Sequence, residues 1–228
     1  MTKLSAIVTS TVGRKILNGL TGLLLCIYIL MHMAANTLII FSPTGFNQYA
    51  HFLMSLGPLL IVIEILLAAV FVLHAYTAIT VWWSKQMARP EKYIKTSNAG
   101  GPSRKTFSST TMIYGGVLLI AFLVWHVATM KYGHHTVFVH NGQEMHNLYH
   151  TVVGQFTQLW VVILYEIIMI TLGFHLWHGF WSAFQSLGLN HPKYMPIIEA
   201  VGYIFALVIA AGFLAVPPYI YFTGGVAL

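Results

Sequence analysis

Five of the twelve histidines, His32, His74, His126, His175 and His178, fall inside long apolar runs. A polar, ionisable ring placed in hydrocarbon is costly, and by default it marks a function. The competing reading is a plain hydrogen bond between helices, which suits one buried histidine as readily as any other role. Depth separates the two readings. His32 lies 17 residues beyond Lys15, and His126 lies 17 residues beyond Ser109. At 1.5 Å per residue each ring sits ~25 Å from the helix end. His74 lies 11 residues before Lys85, and His175 lies 11 residues before Ser186. That places both at ~16 Å. The rings therefore fall into two planes, His32 with His126 and His74 with His175, roughly 9 Å apart along the normal before helix tilt. Four independent structural histidines have no reason to pair by depth on four different helices.

Two imidazoles that face each other at one depth can ligate a haem iron from both sides, and helix bundles commonly build cofactor sites from facing helices. With both axial positions filled no open site remains for oxygen or substrate, so such a haem carries electrons. Two of them would form a wire across much of a bilayer. Gly22 lies ten residues before His32 and Gly116 ten before His126, where a missing side chain would let a macrocycle approach; small residues also serve ordinary helix packing. The shared spacing hints at a degenerate repeat of two helix pairs. His178, one turn from His175, is the alternative fourth ligand; its depth of ~12 Å fits the inner plane less well.

The elements that position these rings are legible in the composition. The chain has 228 residues, 57% hydrophobic and 7% charged, with no aspartate, which suits an all-α integral membrane bundle rather than a soluble domain. A helix needs about 20 apolar residues to cross ~30 Å of hydrocarbon. Five segments qualify, at roughly 15–41, 58–84, 110–131, 155–186 and 196–221, in a single membrane domain spanning 1–228. Breakers mark their ends: Ser42-Pro43, Gly57-Pro58, Gly100-Gly101-Pro102, Pro192 and Pro217-Pro218. Trp82, Trp83, Tyr132, Tyr219 and Tyr221 sit where interfacial anchors belong. The first apolar run is longer than a signal-peptide core and no cleavage site of small residues follows it, so it reads as a retained helix.

Ten of the eleven basic residues fall on one side: Lys3, Arg14, Lys15, Lys85, Arg89, Lys92, Lys95, Arg104, Lys105 and Lys193, against Lys131 on the other. The positive-inside rule puts the N-terminus in the cytoplasm and the C-terminus outside, as for a multi-pass protein of a bacterial inner membrane. The charge lies at span ends rather than on a soluble face, so nucleic acid is not the expected partner. The basic cytoplasmic loop 85–109 is either a solvated linker or a docking surface for a soluble partner. Cys26 alone cannot build a disulfide framework or hold an iron–sulfur cluster. Seven histidines, His51, His134, His135, His140, His146, His150 and His191, fall in or near loops. The group from His134 to His150 could bind a metal or lie near a proton exit. Glu166, deep in the fourth span, is either a protonated structural acid or a group in a proton pathway.

With these residues in place, the chain resembles the di-haem cytochrome b subunit of succinate dehydrogenases and fumarate reductases, the membrane anchor of respiratory complex II. The resemblance covers nearly the whole chain. STVGRKILNGLTGLLLCIYILMHMAAN is similar to that family's first helix, with Thr21-Gly22, the ligand at His32 and Asn36 four residues on. FNQYAHFLMSLGPLLIVIEILLAAVFVLHAY resembles the following loop and second helix, with the ligand at His74. ARPEKY looks like one branch of the family, MIYGGVLLIAFLVWH like the third helix ending at His126, and GFHLWHGFWSAFQSLGL like the fourth, where the first histidine is the ligand and favours His175 over His178.

The resemblance implies two b haems: an inner one held by His74 and His175 and an outer one held by His32 and His126. It implies a flavoprotein subunit with FAD and an iron–sulfur subunit on the cytoplasmic side, electron exchange with a membrane quinone (menaquinone suiting a two-haem anchor), and a complex that could associate further. This chain would then be a non-flavin subunit of succinate:quinone oxidoreductase, with no dicarboxylate chemistry of its own. Asn18 falls where relatives place a polar group facing a haem propionate. A basic residue that some relatives carry just beyond the fourth helix is Ser186 here. Asn47, His51 and Glu64 gather near the outer end of the first two spans, where a quinone could exchange protons; a hydrogen-bonded interfacial acid is the plainer role for Glu64.

Three rivals remain. The cytochrome b of a quinol–cytochrome c reductase carries its ligands as pairs on two helices, whereas here four helices carry one each. A transporter with an intramembrane histidine site would show helices broken by glycine or proline. An intramembrane zinc protease would carry His-Glu-x-x-His, which does not occur.

Overall fold

A computed structural model of the chain describes residues 10–88, 91, 106–134, 136–140 and 142–225. Lys3, Arg89, Lys92, Lys95, Arg104, Lys105 and His135 lie outside the described residues, as do most of loop 85–109 and of its ARPEKY stretch. Among the described residues the chain is all-α apart from one small hairpin. The elements are α1 (Thr11–Phe41), α2 (Pro43–Ser55), α3 (Pro58–Met87), α4 (Phe107–Met130), β1 (Val137–His140), β2 (Gln143–His146), α5 (Leu148–Phe156), α6 (Leu159–Ser186) and α7 (Met195–Thr223). Five of them, α1, α3, α4, α6 and α7, are long and apolar enough to cross a membrane. Their ends fall within about one helical turn of the expected spans.

Local chemistry sets those ends. Ser10 caps α1 by accepting from Gly13 N–H at 3.0 Å, and Thr106 and Ser109 cap α4 reciprocally, each hydroxyl accepting from the other's N–H at 3.1 and 2.9 Å. The end of α6 is a Schellman turn. Leu189 N–H reaches Phe184 C=O at 2.9 Å and Gly188 N–H reaches Gln185 C=O at 3.0 Å. Gly188 takes the positive φ of 86° that this turn requires. The Pro217-Pro218 pair marks no end: α7 runs through both to Thr223. Apolar spans tolerate proline where neighbouring groups take up the freed carbonyls.

Two segments read as connections are themselves ordered. Between α1 and α3 the chain forms α2, whose N-cap Ser42 accepts from Gly45 N–H and whose first residue is Pro43. Before α6 it forms an antiparallel hairpin pairing Val137 with His146 and His140 with Gln143. The short helix α5 follows, so the fourth span starts at Leu159 rather than at 155.

The described contacts cluster into two compact units. One draws on Met1–Cys26, Ala68–Val117 and Phe174–Ala206, the other on Ile27–Leu67, Leu118–Gly173 and Leu207–Leu228. Each long helix contributes a segment to both. In the first unit the buried polar residues among those described include three with hydroxyls, Thr21, Thr77 and Ser108. Thr21 and Thr77 donate to carbonyls one turn earlier, Leu17 and Leu73, and Ser108 donates across to the carbonyl of Phe174 on α6. The second unit has an apolar core that includes Ile39, Phe46, Val161, Ile168 and Ile220. Outside these cores the spans are largely uncovered: none of the apolar centre of α3 or α4 is buried within the chain, and 33% of that of α6 is. Ile61, Ile65, Leu66, Val72 and Val124 are among the large apolar side chains left exposed. So much contiguous apolar surface suits a bilayer as solvent and not water.

Candidate functional site

The first unit holds His74 on α3 and His175 on α6, with ring centroids 6.4 Å apart at an interplanar angle of 65°. Both rings lie against glycine. A Cβ built on Gly22 of α1 would meet His74 Cε1 at 3.3 Å and Nδ1 at 3.6 Å, and one on Gly116 of α4 would meet His175 Cε1 at 3.8 Å. Gly22 thus admits the His74 ring to the surface of α1, whereas the His175 ring only touches α4 at ordinary contact distance. Thr21, next to Gly22, brings its hydroxyl within 3.3 Å of His74 Nδ1. One turn along α3, the Thr77 hydroxyl oxygen lies 3.2 Å from the side-chain amide of Asn18; an asparagine NH2 group carries two N–H donors, so at least one remains for an anion.

The second unit holds His32 on α1 and His126 on α4, with ring centroids 5.9 Å apart and nearly perpendicular at 89°. Tyr28 stacks on His32 at 5.5 Å, Phe213 lies 5.9 Å from it, and Phe122 stacks on His126 at 5.4 Å. The Tyr165 hydroxyl of α6 lies 2.9 Å from His126 Nδ1. Asn36, four residues after His32, donates to the His32 carbonyl at 2.7 Å and so serves its own helix.

His178 packs its ring edge-on against Trp181 at 4.7 Å, and its Nδ1 is buried without a hydrogen-bond partner. Its ring contact is with a tryptophan, whereas that of His175 is with another histidine. Glu166 likewise has a buried, unpartnered Oε1.

The residues proposed for proton exchange with a quinone have separate contacts. Asn47 is fully buried; its Nδ2 donates to Asn147 Oδ1 at 3.0 Å and its Oδ1 accepts from Tyr149 N–H at 2.8 Å. Asn147 in turn caps α5 by accepting from His150 N–H. Asn47 therefore fastens α2 to the start of α5. Glu64 pairs with Lys131. His51 is half-buried on α2, one turn after Asn47. No group of three or more histidine, cysteine or acidic side chains is placed to hold a metal ion among the described residues.

Two protein ligands per site suit a metal that arrives with its own equatorial donors, as haem iron does. With metal–imidazole bonds of about 2 Å, two rings on opposite sides of one metal have centroids roughly 6.3 Å apart. The pairs here stand at 5.9 and 6.4 Å. In His74 and His126 the Nδ1 edge already faces a hydroxyl, an outer contact of the kind that orients metal-binding imidazoles. The Nδ1 of His175 is buried without a partner, so at that nitrogen this ring, unlike those of His74 and His126, has no bond to another helix. The residues present fit the group.

Thr21 and Tyr165 are the contributors that the histidine pattern alone misses. A signal for Tyr165 does exist: it lies ten residues before His175, the interval that separates Gly22 from His32 and Gly116 from His126. No protein-family model, curated protein or solved structure matches the chain.

Proposed function

We propose that this chain is the di-haem cytochrome b subunit that anchors a succinate dehydrogenase or fumarate reductase to a bacterial inner membrane. In this reading it exchanges electrons between an iron–sulfur partner and a membrane quinone. The observation that supports it most is the pairing of four histidines from four apolar helices into two sets, with centroid separations that one metal between each pair would impose. His74 and His175 would hold the haem nearer the cytoplasm, and His32 and His126 the one nearer the outside. Bound there, each haem would supply a one-electron carrier.

The chain's own residues supply placement and insulation. Gly22 lets the His74 ring lie close to α1, while the His175 ring stands at ordinary contact distance from Gly116 of α4. Tyr28, Phe122 and Phe213 surround the second pair with aromatic faces. Asn18 would donate to a propionate. FAD, iron–sulfur clusters and dicarboxylate chemistry would belong to partner subunits docking on the basic cytoplasmic side, since a chain with one cysteine lacks the thiolates for a cluster.

The test is a reduced-minus-oxidised spectrum with haem stoichiometry on the purified full chain, for wild type and for His→Ala at 32, 74, 126, 175 and 178. Two b-type haems are expected in wild type, with one lost at each of the first four positions and neither at His178. Folded wild-type protein that takes up no haem when supplied with it would overturn the reading and point to a transporter-like use of the histidines.

A further inference from the structure

The hydroxyl of Thr21 has one proton and three neighbours that could take it. Its nearest acceptor is the Leu17 carbonyl at 2.7 Å, with the Asn18 carbonyl at 3.2 Å. Both are backbone oxygens, which can only accept. The proton is therefore directed at its own helix, as usual for a threonine within a helix. What Thr21 offers to His74 Nδ1, 3.3 Å away, is an oxygen lone pair. The contact is a hydrogen bond only if the ring donates, so Nδ1 carries the proton and Nε2 carries the lone pair.

His175 lacks this restraint. Its Nδ1 is buried without a partner. Thr21 precedes Gly22, and the corresponding residue before Gly116 is Gly115, which has no side chain to accept. The two rings of the first unit are thus unequal, one with its tautomer set by the fold and one without.

We infer that Thr21 is a positioning residue that presets the tautomer of His74, so that Nε2 is the nitrogen offered to iron. The inference rests on the haem-ligand reading above. An N–H···O bond behind a ligating imidazole makes it a stronger donor, which favours the ferric state. Removing the acceptor should therefore raise the midpoint potential of the haem bound by His74 and leave the other haem unchanged.

The experiment is a redox titration with haem stoichiometry on the full haem-loaded chain, for wild type, Thr21→Val and Thr21→Ser. Valine matches the shape of threonine without the oxygen; serine restores the oxygen. In Thr21→Val one haem is expected to move up by about tenfold in its ferric–ferrous equilibrium, ~59 mV for one electron, or to be lost outright. The His32–His126 haem should keep its wild-type midpoint and so report that the fold is intact. Thr21→Ser should behave as wild type. Unchanged midpoints in Thr21→Val would overturn the inference. So would a serine variant that matches valine, because the effect would then be packing. Loss of both haems in both variants would overturn it as well, as damage to α1. A wild-type chain without haem would instead remove the underlying reading, which separates the two failures.

Discussion

The hydroxyl of Tyr165 stands 2.9 Å from Nδ1 of His126. Tyr165 is held by its packing: it is buried and meets Phe156 edge-on at 4.7 Å, Phe122 at 5.0 Å and Trp125 at 5.7 Å. A phenol can donate or accept, so unlike Thr21 it leaves the tautomer of its histidine to be set by whatever Nε2 binds. With a metal at Nε2, the proton must lie on Nδ1 and Tyr165 accepts it. Tyr165→Phe should retain two haems and raise the midpoint of the His32–His126 haem by up to about tenfold in its equilibrium, ~59 mV. A redox titration that finds that midpoint unmoved would show that the hydroxyl does not tune the site.

The two glycines predict unequal tolerance. An alanine methyl at position 22 would stand 3.3 Å from His74 Cε1, tight enough that the ring must give, whereas at position 116 it would meet His175 at an ordinary 3.8 Å. Gly22→Ala should therefore weaken haem retention in the first unit, with an overpacking cost of about 1–3 kcal/mol. Gly116→Ala should bind haem as wild type does. Equal haem content in the two variants, measured after identical purification, would show that the His74 ring moves aside freely.

Asn47 predicts a loss of stability without a loss of ligation. Asn47→Ala removes the acceptor for Tyr149 N–H and the donor to Asn147. A buried N–H left unpaired costs about 1–3 kcal/mol. Thermal unfolding in detergent should fall to lower temperature while the haem stoichiometry at low temperature stays at two. Should Asn47→Ala keep wild-type stability and lose quinone reactivity, a catalytic role would replace the structural one.

The five spans were legible because a bilayer demands a long apolar run wherever it is crossed, and the run is visible in sequence at 58–84 as in the helix Pro58–Met87. The facing of the histidine pairs was legible for a related reason: helix rise is uniform, so residue counts to the span ends give depth. Rotation about the helix axis was not. Whether Thr21 turns its oxygen toward His74 or only toward its own backbone depends on which face of α1 meets α3, and no residue count supplies that. Helices α2 and α5 were missed because they are short and border apolar spans, so their hydrophobicity merged with that of their neighbours. Their starts depend on Ser42 and Asn147, and the burial of Asn47 depends on a contact 100 residues away in sequence. The Pro217-Pro218 pair reads as a helix stop by the rules of aqueous proteins, yet α7 continues through it.

No residue in the apolar centre of α3 is fully buried by the rest of the chain, although α3 carries His74; in the centre of α6, which carries His175, a third of the residues are. The acyl chains around α3 are therefore part of the scaffold that holds one ring of a facing pair. Delipidation should act on this protein as a core mutation acts on a soluble one. In a short-chain detergent, the partnership of His74 with His175 should fail before the helices melt, and adding back lipid should restore it.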